Sequence, residues 1–296
     1  MLKKYPMKLS PYCKGVIWGG STLKNEFGKI SDIEKLGETW ELSVFPGKES
    51  VISNGEYTGM KLSEYLSEDS SSFPILVKFI DAAANLSIQV HPEKNEMWYI
   101  VKAEEGAKIV YGLNGIFSTL KTANAITAGT LENYLNYVEV HRGDVFYIPT
   151  GLVHAIGKGI IIAEIQQTND ITYRLYDYNR VDKDGKKRPL HVTQALHTIK
   201  DFTEDQIGSL RFSRDRSCSM DTEIIASCDY FTVSRYEISG EREFSAVDFI
   251  HLLCLDGHGD IDGVEINKGD SIFIPSGYGK STVFAKDKIE LIASQR

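Results

Sequence analysis

The stretch "RGDVFYIPTGLVH", residues 142–154, decides the fold. Gly143 and Asp144 open a short apolar strand, "VFYIP", which Pro149 and Gly151 end, and the imidazole of His154 follows just beyond the strand terminus. The chain then repeats itself. "KGDSIFIPSGYGK", residues 268–280, matches the first copy almost position by position, with Gly143, Pro149, Gly151 and His154 answered by Gly269, Pro275, Gly277 and Lys280. A repeat at so long a spacing predicts two domains of one β-rich architecture and not a solenoid, whose period is far shorter. Lys280 stands where the first copy has His154, so the second copy is expected to hold no metal and to serve as structure or as a wall of the site.

Upstream lies "SIQVHPEKNEMWYI", residues 87–100. Gln89 and His91 sit two apart in an alternating run and so project from one face of a strand. Glu96 opens the next apolar run after the turn-like "HPEKN", in which Pro92 and Asn95 discourage strand continuation, and a hairpin is expected to fold its carboxylate back toward His91. With His154 these residues make a mixed N/O set that suits Zn²⁺ or a similar divalent ion and leaves positions open for water or substrate. A lone histidine is more often a core residue than a ligand. That structural reading holds for His141, His191, His197, His251 and His258, which lie in no comparable constellation.

A glycine, five residues, proline, one residue, glycine, two residues and histidine resembles the second motif of the cupin superfamily, and Gln89, His91 and Glu96 resemble its first, with glutamine at a position usually held by histidine. That glutamine, "IWGG" at Trp18 to Gly20, "GETWELS" at Gly37 to Ser43 and "QQTNDITYRLYDYNR" at Gln166 to Arg180 are similar to the type I mannose-6-phosphate isomerases, over nearly the whole chain. The resemblance implies a mainly β protein of two cupin-like, jelly-roll barrels with a few helices and a helical connector. It implies one divalent metal, Zn²⁺, held by Gln89, His91, Glu96 and His154, and an active site containing Lys94 and Arg174. Glu164 resembles a family glutamate at the same ten-residue interval before the arginine.

Residues 1–200 are expected to form the metal-binding catalytic domain with helical elements, and residues 218–296 the second barrel, without metal ligands. The first eighty or so residues, including a helical "KLSEYLSE" from Lys61, are expected to complete the first barrel. "PLHVTQALHTIKDFTEDQIG", from Pro189, has apolar positions at helical intervals and reads as the connector. After it "DYFTVSRYEIS", "FSAVDFIHLLCLDG", "DIDGVEINKGDSIFIPSG" and "STVFAKDKIELIAS" alternate as strands.

The net charge of −8 over 296 residues argues against nucleic acid and anionic membranes as partners, since both demand a dominant basic face. A small sugar phosphate needs only a local cluster of cations, for which Arg174, Arg180 and Lys94 are candidates. Arg180 also reads as a surface residue beside the turn "DKDGKKR", and Lys186, Lys187 and Arg188 as a solvated part of that turn. Cys13, Cys218, Cys228 and Cys254 are scattered with no CxxC pair, which fits reduced thiols and a cytoplasmic setting. No run approaches the roughly twenty apolar residues of a membrane span, and the N-terminus has no apolar leader core.

The implied reaction, an aldose–ketose isomerisation between mannose 6-phosphate and fructose 6-phosphate, needs a base to move a proton between C1 and C2, a group to polarise the carbonyl and a cation to stabilise the enediolate. The metal would serve as Lewis acid or template. Arg174, always protonated, would stabilise the enediolate or anchor the phosphate. Lys94, Glu164 and a metal-bound water all stand as the proton-abstracting group. The apolar neighbours Ile162, Ala163 and Ile165 suit Glu164 to proton transfer or, equally, to orienting a ligand histidine or an arginine. Two other readings use the same fold: a non-catalytic sugar-binding or regulatory cupin, which has no need of Lys94 and Arg174 beside the metal, and an Fe²⁺ dioxygenase, against which Gln89 argues.

Overall fold

The runs "ILVKFIDA" and "IIIAEIQQ" are apolar almost throughout, as expected of strands covered on both faces. In the computed structural model, which describes residues 2–115, 117–212, 222–246 and 248–296, they form the centre of a sheet buried on both sides. Cys218 and the first residues of the expected second domain lie outside the described residues.

The central sheet has seven strands in the order Arg211–Phe212, Val145–Ile148, Glu96–Ala103, Ile160–Gln167, Ile75–Ala82, Tyr12–Gly20 and Leu36–Leu42. Alternation sends Val77, Phe79, Met97, Tyr99, Ile161, Ala163 and Ile165 to one face, where they pack with Leu9, Val233, Leu253, Phe273 and Ile292 of an eight-stranded sheet. Ile80, Trp98, Ile100, Ile160 and Ile162 point to the other face and meet Ile109, Tyr111 and Ile156 of a five-stranded sheet ordered Tyr173–Tyr176, Ile88–Val90, His154–Ile156, Lys108–Leu113 and Leu135–Glu139. A third core, including Leu252, Ile272, Val283 and Leu291, lies within the eight-stranded sheet, whose long strands Thr232–Ala246 and Gly279–Gln295 bend at a register shift between Ile238 and Gly240.

The mainly β, cupin-like architecture is as expected, but the strands make three open sheets and not two closed barrels. The N-terminal segment also divides between layers. Tyr12–Gly20 and Leu36–Leu42 join the central sheet, whereas Met7–Ser10 pairs with Ser271–Ile274 and Val51–Ile52 in the sheet built mostly from the C-terminal residues. The expected connector is two short helices, Val192–Thr198 and Glu204–Ser209, the second started by Thr203, whose side chain accepts from the Gln206 N–H while Gln206 reaches back.

The repeat is visible in the backbone. Gly143 and Gly269 have φ of 95° and 90°, and Gly151 and Gly277 of 89° and 67°, a left-handed region that a Cβ disfavours. Asp144 accepts the His141 N–H at 2.8 Å, and Asp270 accepts the Asn267 N–H at 2.7 Å, closing the same turn twice. Lys280 is exposed and pairs with Glu243.

One buried carboxylate fastens the central sheet to the C-terminal one. Glu290 accepts from Tyr99 Oη at 2.7 Å, Arg142 Nη2 at 2.6 Å and Arg235 Nε at 2.9 Å, and Arg235 is only 2% exposed. Glu290→Ala leaves that guanidinium with Glu237 and the Tyr99 hydroxyl, and is expected to destabilise the protein by about 3 kcal/mol, as removal of one partner from a buried ion pair does. Denaturant midpoints measure it; a shift worth less than about 1 kcal/mol would place this contact with ordinary surface pairs.

Candidate metal centre

Polar residues replace apolar ones at one end of the layer between the central and five-stranded sheets. On the central strands the inward positions that are isoleucine further along become Lys78, Glu164, Gln166 and Glu96, and the ladder sets Glu164 opposite both Lys78 and Trp98, and Gln166 opposite Glu96. On the facing sheet Gln89 lies between His154 and Arg174 on its two neighbouring strands.

The turn 92–95 does not close the expected hairpin. Ile88–Val90 pairs with His154–Ile156 and Tyr173–Tyr176, while Glu96–Ala103 pairs with Val145–Ile148 and Ile160–Gln167, so the turn carries the chain from one sheet to the other. His91 and Glu96 therefore meet across the interior. The turn is docked on the Pro149–Gly151 corner by Asn95 Oδ1, which accepts the Thr150 N–H at 3.0 Å, and by the His91 carbonyl, which accepts the Gly151 N–H at 3.1 Å. His154, expected just past a strand, begins a short strand of its own.

His91, Glu96 and His154 are buried, with one ligand atom of each within 4.8 Å of the others. The two Nε2 atoms are 3.1 Å apart, and they lie 3.4 Å and 3.5 Å from Glu96 Oε2 and Oε1. His91 Nδ1 donates to the Ile171 carbonyl at 2.9 Å and His154 Nδ1 to the Leu152 carbonyl at 2.8 Å. A carbonyl can only accept, so each neutral ring keeps its proton on Nδ1 and turns its Nε2 lone pair into the shared space. Burial holds both imidazoles below their usual range, His91 with help from Lys94, and His154 despite the opposing pull of Glu96.

Burial alone would raise the Glu96 carboxyl, but the charge of Lys94, the neighbouring His154 ring and the charge of Lys78 reverse this and hold it low. Among the described residues neither Glu96 oxygen has a hydrogen-bond partner; Lys94 Nζ, 2.8 Å from Oε2, makes an ion contact without hydrogen-bond geometry. Two facing lone pairs and an unbonded buried carboxylate are a donor set that a divalent cation completes. The Gln89 amide nitrogen is 3.3 Å from His154 Nε2, and its oxygen accepts from Ser87 Oγ at 3.4 Å.

Of these groups Gln89 and His91 line a cleft of about 430 Å³, together with Lys14, Glu38, Lys78, Lys94, Glu164, Asp170, Arg174 and Arg188. Lys94 Nζ donates to Gln166 Oε1 at 3.0 Å, and Lys78 Nζ donates to the same oxygen at 2.7 Å and to Glu164 Oε1 at 2.9 Å. Burial would lower the Lys78 ammonium, yet Glu164, Glu38 and Asp170 raise it, so it is a permanent cation. Glu164 Oε2 accepts from Trp98 Nε1 at 3.0 Å. Both of its oxygens are thus engaged, and its charged partner is Lys78.

Arg174 is placed in the cleft, and among the described residues its buried Nε has no partner. Burial and the neighbouring Arg188 both lower its proton affinity slightly from a very high starting point. Arg188, read from sequence as part of a solvated turn, instead lines the cleft, oriented by two hydrogen bonds to Asp177 at 2.8 and 2.6 Å. Arg180 turns to Asp177 and to the Asn85 carbonyl and is not among the lining residues. His191, read as packing or surface, also reaches the cleft, while His251 is buried between Ser271 and Ser294. Lys78 and Gln166 were missed by sequence reasoning. The signal available was a lysine in the middle of a strand otherwise apolar enough to be covered on both faces.

Two family models match the chain: Phosphomannose isomerase type I, catalytic domain, over residues 7–108, and Mannose-6-phosphate isomerase, cupin domain, over residues 220–295. A mannose-6-phosphate isomerase of Streptococcus mutans is 37% identical over 98% of this chain and 98% of its own length, and one of Bacillus subtilis is 33% identical over 93% and 94%. The crystal structure of the Bacillus subtilis mannose 6-phosphate isomerase superposes with a TM-score of 0.86 at 30% identity, covering 99% of this chain and 100% of that one. On this full-length similarity, and with the cupin-like layers and the His91, Glu96 and His154 cluster beside it, the chain belongs to the type I mannose-6-phosphate isomerase family.

Proposed function

We propose that the protein interconverts mannose 6-phosphate and fructose 6-phosphate through an enediolate, with one Zn²⁺ held by Gln89, His91, Glu96 and His154. The observation that carries the reading is the junction of two features: a buried donor set shaped for a divalent cation, which meets the cleft at His91, and on the wall of that same cleft Arg174, whose Nε has no partner among the described residues. When bound, the metal would supply Lewis-acid polarisation of the sugar oxygens.

The protein's own residues do the rest. Arg174 and Arg188, two guanidinium groups on one stretch of the wall, suit the phosphate dianion or the enediolate charge, and planar guanidinium forks match either anion. Lys94, fixed beside Glu96 and Gln166, is the group placed to exchange a proton with the substrate at Nζ. For Glu164 we favour the orienting role, since its oxygens fix Lys78 and Trp98. Residues 1–200 would then be the catalytic unit and residues 218–296 its metal-free partner.

The test is turnover of mannose 6-phosphate by the purified, zinc-loaded chain, with glucose 6-phosphate and a chelator-treated sample alongside. Metal-dependent formation of fructose 6-phosphate is expected. Stoichiometric metal without turnover would replace this reading with a sugar-binding cupin.

A further inference from the structure

Lys48 lies outside the cluster, on the tight turn 43–50, where Gly47 has a φ of 77° and the Lys48 N–H returns to the Phe45 carbonyl at 2.8 Å. Its ammonium sits 4.5 Å from the centre of the Trp40 ring and 4.9 Å from that of Phe45, and donates to Asp170 Oδ2 at 2.6 Å. Two aromatic faces and a carboxylate fix one cation in place.

Asp170 belongs to the segment 168–172, which has little apolar burial to hold it: the Ile171 side chain is 44% exposed. Its other ties are polar. Gln166 Nε2 donates to the Asn169 carbonyl at 2.6 Å, the Thr168 N–H donates to the Pro74 carbonyl at 3.2 Å, and the Ile171 N–H donates to Asn169 Oδ1 at 2.8 Å. This segment supplies the Ile171 carbonyl that keeps the His91 proton on Nδ1.

We propose that Lys48 is a positioning residue for the metal centre: by tethering Asp170 it holds the Ile171 carbonyl against His91 and so keeps the His91 Nε2 lone pair directed at the cation. The proposal rests on the reading of His91 as a ligand. Partners one step beyond a metal ligand fix its ring orientation and tautomer, and their loss weakens metal binding.

The experiment is Zn²⁺ affinity of the full chain by competition with a chromophoric chelator. Lys48→Met, which keeps the stem and removes the charge, is expected to weaken binding about 10-fold, and Lys48→Arg to restore it. Asp170→Asn should weaken binding as much, and the double variant no more than either single change, because both break one tether. A merely structural role would lower the melting temperature of Lys48→Met and leave Zn²⁺ affinity unmoved; that result overturns the proposal. His91→Ala run alongside separates the two failures. If it loses Zn²⁺ while Lys48→Met does not, the tether alone is wrong; if it binds Zn²⁺ as tightly as the unaltered chain, the ligand reading falls and the tether with it.

Discussion

His154→Ala is expected to abolish metal binding in a protein that stays folded. The imidazole is fully buried, contributes one of the two facing lone pairs and approaches both Glu96 and His91, so its removal leaves an incomplete donor set around the carboxylate that Lys94 contacts. The loss should exceed the 10- to 100-fold, roughly, that follows removal of an outer partner, since a ligand itself is gone. The fold survives because the bonds of the His154–Ile156 strand to Lys108–Leu113 and Ile88–Val90 are made by backbone groups. What is lost in packing includes the ring contacts with His91 and Trp98, 4.7 and 5.4 Å between ring centres. Metal content by mass spectrometry and a far-ultraviolet circular dichroism spectrum decide the matter together. Stoichiometric metal and ordinary turnover in this variant would refute the site.

Arg174→Ala should do the opposite, keeping the metal and losing turnover. Arg174 shares a strand ladder with Gln89 but makes no contact with His91, Glu96 or His154 among those described, so the donor set has no reason to change. Its side chain lines the cleft and its buried Nε has no partner among the described residues, as expected of a group whose hydrogen bonds are completed only with the substrate in place. Removing one preorganised donor of this kind lowers kcat by about 10² to 10³. If the phosphate is its target, the loss falls mainly in KM; if the enediolate, mainly in kcat. Unchanged steady-state kinetics would remove Arg174 from the mechanism.

The cluster of His91, Glu96 and His154 was legible from sequence because candidate ligands are marked by local rules. Two-residue spacing puts Gln89 and His91 on one side of a strand, Gly143 and Pro149 bracket the strand before His154, and the second copy of that pattern announces the duplication. What local rules do not contain is the partner sheet. Alternation says that Glu96 faces inward but not that its strand lies across the interior from Ile88–Val90. For the same reason the placement of Met7–Ser10 beside Ser271–Ile274, and of Arg188 in the cleft, was out of reach: each depends on contacts between segments far apart in the chain. Lys48 and Asp170, 122 positions apart, show the same limit.

The pairing of Met7–Ser10 with Ser271–Ile274 bears on how the molecule is made. A ribosome releases Met7–Ser10 long before its main partner Ser271–Ile274. Val51–Ile52 offers just two residues of ladder in the interval. Between the synthesis of the two strands, then, Met7 and Leu9, both buried in the finished protein, belong to an open strand edge of the kind that recruits other chains, because the native contacts that will cover it have yet to be made.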